Sequence, residues 1–144
     1  KGNGSEAINA INCLDYPVTG DTASWDAEAG EIKAASPTFG EALVYSDLFC
    51  QSWGHESSRS RDPIHASGAA PILVVGTTGD PATPYPWSQA LASQLDDGHL
   101  LTWDGNGHTA YGRAGDCITR AVDAYLLAGQ LPEEGKTCAG SKSK

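Results

Sequence analysis

The stretch Pro71-Ile72-Leu73-Val74-Val75-Gly76-Thr77-Thr78-Gly79-Asp80-Pro81 decides how the chain is read. Ile72 to Val75 is a continuous apolar run with β-branched members, suited to a strand buried on both faces of a parallel sheet. Gly79 and Pro81 punctuate its end and leave Asp80 in a turn just beyond it. Between Tyr85 and Leu95, Trp87, Leu91 and Leu95 share one face at helical spacing, with Pro86 tolerated in the first turn. Leu100 to Trp103 forms a second short strand, and Asp104-Gly105-Asn106-Gly107 then leads into His108. Strand, helix and strand in this order predict a parallel α/β layer.

The rest of the chain frames this unit. Asp116 lies near the cap position of a closing helix in which Ile118, Ala121, Val122 and Tyr125 recur every three or four residues, with Gly129 and Pro132 ending it. The first residues, with Ile8 and Ile11, settle neither helix nor strand and are read as a short extended segment ending near Asp15. Trp25, Ala29 and Ile32 predict a helix from Thr22 to Ala35, broken by Pro37. A second helix is expected to carry Phe39, Leu43 and Phe49 or Cys50 along one side as far as Trp53-Gly54. Residues 54–70 are polar and aperiodic, a connecting loop and not a domain boundary. The chain thus divides into residues 1–70, with short helices and the loop, residues 71–138, the α/β module, and residues 139–144, a tail with nothing to bury.

Composition narrows the function. The 144 residues carry 18 acidic and 9 basic side chains, a net charge of −9, which repels nucleic acid and anionic lipid. No nucleic-acid partner is expected, and no apolar run approaches the roughly 20 residues of a membrane span. Cys13, Cys50, Cys117 and Cys138 lack the Cys-x-x-Cys spacing of zinc or thioredoxin-like sites, which favours disulfides and an extracytoplasmic compartment. Four cysteines allow three pairings; chain proximity prefers Cys13 with Cys50 and Cys117 with Cys138, and four buried free thiols are the alternative. His55-Glu56 is not a zinc-protease motif, because Arg59 stands where the second histidine would be. No phosphate loop occurs either, so neither a metal nor a cofactor is expected.

Asp80 and His108 each have an ordinary account, Asp as a turn initiator before proline and His as a surface residue in a Gly-rich loop. Their joint placement is more specific. Each follows its own strand, one helix lies between them, and the acid precedes the histidine, as in the triads of α/β-hydrolases. A Ser-His-Asp device needs a hydroxyl made nucleophilic, an imidazole to take its proton and a carboxylate to fix the imidazole tautomer. The chain has no Gly-x-Ser-x-Gly elbow, so the nucleophile is expected outside it. Trp53, Trp87 and Trp103 are read as core residues.

The turn Gly79-Asp80-Pro81-Ala82-Thr83-Pro84-Tyr85, the turn Gly105-Asn106-Gly107-His108-Thr109-Ala110-Tyr111-Gly112 and the closing Asp116-Cys117 through Gly129-Gln130-Leu131-Pro132 to Cys138 together resemble the C-terminal module of secreted tripeptidyl aminopeptidase-like (TAP-like) serine α/β-hydrolases, relatives of the proline iminopeptidases. Ala10-Ile11-Asn12-Cys13-Leu14-Asp15 and Cys50-x-x-Trp53 agree more loosely. The resemblance implies an α/β fold that is the C-terminal part of an α/β-hydrolase, incomplete without its N-terminal half. It implies Asp80 as triad acid, His108 as general base and a Cys117–Cys138 bridge. The serine and the oxyanion-hole amides would come from the N-terminal half of the same enzyme, so this chain alone is expected to be inert. It also implies a secreted or envelope-associated exopeptidase acting at the free amino end of short peptides. Asp15 is the candidate anchor for that amino group, an ordinary turn or cap carboxylate being the alternative. Thr83 is a candidate support for the acid or the histidine loop, against a hydroxyl that satisfies local backbone. A carboxylesterase or lipase of the same fold, or a non-catalytic binding domain, are the other readings.

Overall fold

The computed structural model describes residues 2–140; the end of the expected tail, residues 141–144, lies outside them. The chain forms two compact units that divide between Asp62 and Pro63, inside the segment read as a plain connection.

The first unit is helical. Its opening element is a helix, α1 (Gly4–Asp15), where an extended segment was expected. The physical reason lies in the repeat: Ala7, Ala10, Ile11 and Leu14 recur at three- and four-residue intervals with good helix formers among them, although only Cys13 becomes buried. Helix α2 (Thr22–Ala35) spans the predicted residues and starts with a capping box, in which Asp21 accepts from the Ser24 amide at 2.9 Å and the Ser24 hydroxyl accepts from the Asp21 amide at 2.9 Å. The second expected helix is instead two short ones, α3 (Gly40–Leu43) and α4 (Leu48–Ser52). Tyr45, at a φ of 61°, breaks the run between them, and Phe39, Leu43 and Phe49 are exposed. Gly40 packs on α2 so closely that a Cβ would stand 2.6 Å from the Ile32 carbonyl oxygen. The Cys13–Cys50 disulfide joins α1 to α4. Trp25 and Ala29 are the other buried apolar residues of the unit among those described. With so little core, the covalent link carries much of the local order.

The second unit is a three-stranded parallel sheet in the order β1 (Ile72–Gly79), β2 (Gly98–Asn106), β3 (Thr137–Ala139), with α5 (Tyr85–Gln94) crossing between β1 and β2 and α6 (Asp116–Ala128) between β2 and β3. This is the C-terminal part of an α/β-hydrolase fold. Both predicted strands run further than their apolar runs, and β3 carries no sequence pattern beyond Cys138. Side chains alternate across the sheet. Leu101, fully buried, packs with Ile118, Ala121, Val122 and Cys138 beneath α6, with Leu73, Val75 and Trp103 around them. On the opposite face Thr102 meets the Tyr85 hydroxyl at 2.7 Å, and Gly76 makes room for α5, since a Cβ there would stand 2.8 Å from that of Ser88 and 2.9 Å from the Tyr85 ring.

Three expectations fail here. Helix α5 turns Tyr85, Ser88 and Ala92 toward the sheet, not Trp87 and Leu91, so Trp87 is 63% exposed and is no core residue. Strand β1 is only half buried, because it stands at the edge of the three described strands. Trp53 is likewise only half buried, edge-on to His55 at 4.6 Å between ring centroids. The Cys117–Cys138 disulfide ties β3 to the first turn of α6. Gly115, at a φ of 88°, caps that helix and Gly129, at 64°, ends it. The Tyr125 hydroxyl donates to the Pro71 carbonyl at 2.7 Å, fixing α6 to the start of β1.

Candidate active site

The site forms at the C-terminal ends of β1 and β2. The turn after β1 is an Asx turn: Asp80 Oδ1 accepts from the amides of Ala82 at 2.8 Å and Thr83 at 2.9 Å. Pro81 and Pro84 stiffen the segment, and Pro84 precedes the first turn of α5. Oδ2 accepts from the Thr83 hydroxyl at 2.8 Å and from the Thr109 amide at 3.4 Å. The carboxyl side chain is only 4% exposed, yet it is surrounded by donors.

His108 completes the set. Its Nδ1 lies 3.0 Å from Asp80 Oδ2 and 3.1 Å from Oδ1. An ionised carboxylate can only accept, so Nδ1 carries the proton and Nε2 is the basic nitrogen of the neutral ring. The Thr83 hydroxyl stands 3.4 Å from the same Nδ1. Half of the His108 side chain is exposed, and no group of the described residues hydrogen-bonds Nε2. A base needs a carboxylate on one nitrogen and an unoccupied second nitrogen, an arrangement that the half-exposed His108 side chain is compatible with.

Electrostatics favour the ionised acid. Burial is the largest influence on Asp80 and acts to raise its pKa, but the amides of Thr83 and Ala82, the Thr83 hydroxyl and the His108 imidazole together outweigh it. The carboxyl is held well below the usual aspartate range.

The backbone of the histidine turn is constrained on both sides. Gly107 has a φ of 120° and donates to the Gly79 carbonyl at 3.1 Å, joining the bases of the two turns. Thr109 has a φ of 66°, unusual for a β-branched residue, and its amide points at Asp80. Ala110 beyond it is buried and anchors the loop in the core below α6. Sequence reasoning missed Thr109, because nothing in a Gly-His-Thr-Ala string marks which residue takes the left-handed conformation.

Of the candidate residues, Asp80, Thr83 and His108 come together in one constellation. Asp15 belongs to the first unit, at the C-terminal end of α1, where its carboxylate faces Arg59 Nη1 at 3.4 Å. A negative charge is unfavourable at a helix C-terminus, and Arg59 offsets it. Both proximal cysteine pairings form, and the described residues contain no free cysteine. They also contain no cluster of His, Cys, Asp and Glu arranged to hold a metal, and no helix long and apolar enough to cross a membrane.

The family model described as TAP-like protein matches residues 36–138, a span that includes the whole constellation. The chain belongs to the TAP-like family. Over 140 residues it is 38% identical to the serine protease Hip1 of Mycobacterium tuberculosis, covering 94% of this chain and 26% of that protein. Carboxylesterase B of the same organism is 37% identical over 141 residues, covering 95% of this chain and 27% of that protein. The tripeptidyl aminopeptidase of Streptomyces lividans is 28% identical over 138 residues, covering 95% and 26%. This TAP-like chain therefore spans about a quarter of the length of the curated relatives it matches.

Proposed function

We propose that this chain supplies the acid and the base of a serine hydrolase that cleaves short peptides from their free amino end, with the nucleophile on the remainder of the enzyme. The carrying observation is the carboxylate of Asp80 held against His108 Nδ1, with half of the His108 side chain exposed and no hydrogen-bond partner on Nε2 among the described residues. In this reading the serine hydroxyl attacks the substrate carbonyl and gives its proton to His108 Nε2. Asp80 stabilises the imidazolium and keeps the ring oriented. The imidazolium then protonates the leaving amine, and water repeats the sequence to release the acyl group. Thr83 acts as a positioning residue, because its hydroxyl donates to Oδ2 and flanks Nδ1. Asp15 receives the substrate ammonium.

The N-terminal half of the same enzyme brings the serine and the oxyanion-hole amides, and the 144-residue chain by itself turns over nothing. Two disulfides support an extracytoplasmic location, secreted or at the cell envelope. A carboxylesterase is the second reading. It is favoured by the similarity to Carboxylesterase B and by the engagement of Asp15 with Arg59.

The test is hydrolysis by the full-length protein of free-amine tripeptide anilides, N-blocked counterparts and simple esters, with His108→Ala and Thr83→Val beside the wild type. Loss of all turnover in His108→Ala, and a several-fold fall in kcat with KM unchanged in Thr83→Val, are expected. Turnover that survives His108→Ala, or a fully active isolated chain, refutes the assignment.

A further inference from the structure

We propose that Thr78 is a positioning residue that sets the reach between Asp80 and His108. The inference rests on the reading of those two as acid and base, and it comes from an irregularity in the sheet. Strands β1 and β2 pair in parallel from Ile72 with Gly98 to Thr77 with Trp103, and then the register shifts, so that Gly79 faces Asn106. Two residues of β2, Asp104 and Gly105, therefore stand opposite the single residue Thr78. This is a bulge, and it sits where each strand is about to deliver its functional side chain. An extra residue in one strand bends it and re-aims the side chains beyond the bend.

A bulge leaves backbone groups without their ladder partners, and Thr78 supplies the missing one. Its hydroxyl oxygen accepts from the Gly105 amide at 3.1 Å. The same hydroxyl donates toward the Asp104 carboxylate, 3.1 Å from its oxygen, and the Gly105 carbonyl, 3.3 Å from it. One side chain on β1 thus holds both residues of β2 that stand opposite it. Gly105 must be glycine at this point, because a Cβ would lie 2.5 Å from the Trp103 indole. Past the bulge the Gly107 amide returns to the Gly79 carbonyl at 3.1 Å. Asp80 follows Gly79 directly and His108 follows Gly107 directly, so the rung that Thr78 secures is the last before the pair itself. Gly79 permits the approach, since a Cβ there would stand 2.9 Å from the Gly105 carbonyl oxygen.

Thr78 is exposed, so its shape contributes little packing and its influence runs through the hydroxyl. That separates positioning from mere stability. Thr78→Val keeps the β-branched shape that suits a strand and removes the hydroxyl, while Thr78→Ser keeps the hydroxyl. The readout is the solvent exchange of the His108 Nδ1 proton by NMR in the full 144-residue chain, with the thermal midpoint recorded in parallel.

Loss of one ordinary hydrogen bond corresponds to about a 3- to 10-fold faster exchange in Thr78→Val, with the midpoint nearly unchanged and the wild-type rate restored by Thr78→Ser. In the full-length protein kcat falls by a similar factor and KM does not move. Unchanged exchange in Thr78→Val, failure of Thr78→Ser to restore it, or unfolding of Thr78→Val overturns the proposal. Because exchange is read without turnover, an absence of hydrolysis in the full-length protein sinks the catalytic reading and leaves the exchange result to decide Thr78 on its own.

Discussion

His108 Nδ1 faces both oxygens of the Asp80 carboxylate, at 3.0 and 3.1 Å, from a turn on the neighbouring strand. A carboxylate in that position accepts one proton from the ring and so selects the tautomer whose Nε2 is basic. Asp80→Asn keeps the size but replaces one acceptor oxygen by a donor, which opposes the Nδ1 proton. In the full-length protein we expect kcat to fall by about 10³- to 10⁴-fold, as when a triad acid becomes an amide, with KM little changed. Nitrogen NMR of the imidazole checks the cause: the proton should move to Nε2 in the variant. A large loss of kcat with the tautomer unchanged would contradict this account.

The donors around Asp80 also fix how the fold responds to acid. Its pKa is lowered in the folded chain, so the folded state holds fewer protons at this site than the unfolded state. The stabilisation is fully present above the ordinary aspartate value of about 3.9 and is lost as pH falls below it, through the depressed folded value. Chemical denaturation of wild type and Asp80→Asn from pH 6 to pH 3 should show a gap that is constant down to about pH 5 to 4 and then narrows progressively toward pH 3. A gap that widens toward acid would mean that burial, and not hydrogen bonding, governs Asp80.

The disulfides divide their work between the units. Cys117–Cys138 closes a loop with a sequence separation of 21 and Cys13–Cys50 one of 37, for which restriction of the unfolded chain contributes about 3 and about 4 kcal/mol. The folded states differ more than these values. Cys138 lies in a core with Leu101 and Ile118, whereas Cys13 has few buried neighbours in its unit. We expect Cys117→Ser/Cys138→Ser to retain the sheet with a lowered midpoint, and Cys13→Ser/Cys50→Ser to lose the protection of α1 and α4 in hydrogen exchange. Equal local protection in the two double variants would show that the small core of the first unit suffices without its bridge.

Much of the second unit was legible because its signals are local. The apolar run at Ile72–Val75, the Gly-bounded turns and the three-and-four spacing of Ile118, Ala121 and Val122 each report on one element. The features that were missed depend on partners. Gly76 lies just past the apolar run Ile72–Val75, yet it is a mid-strand residue kept bare for Tyr85 and Ser88. Trp87 and Leu91 read as an inward face, yet the sheet takes the Tyr85, Ser88 and Ala92 face, because a small-residue contact lets α5 approach closely. The opening helix was obscured by its asparagines, and Tyr45 gave no sign that it would break the following helix at a positive φ. In the site, Asp80 and His108 were legible from strand ends and chain order. Thr109 and the bulge at Thr78 were not, since both depend on a register set by two strands at once.

Asp15 separates the peptidase reading from the esterase reading. Its carboxylate meets Arg59 at 3.4 Å, and 46% of the Asp15 side chain is exposed. An exposed pair of this kind contributes at most about 1 kcal/mol, so a substrate ammonium can displace the guanidinium at small cost. If Asp15 receives that ammonium, Asp15→Asn removes a charge-assisted contact and lowers kcat/KM of the full-length protein on free-amine tripeptides by about 10- to 100-fold. N-blocked peptides and esters should change little. Arg59→Gln then acts in the opposite direction, because it frees the carboxylate and removes a competing cation, so turnover of free-amine peptides should rise or hold. Equal losses on all three substrates in Asp15→Asn would instead assign the Asp15–Arg59 pair to the end of α1 as a helix-terminating contact. No change on any substrate, together with faster turnover of esters than of peptides, would place the esterase reading first.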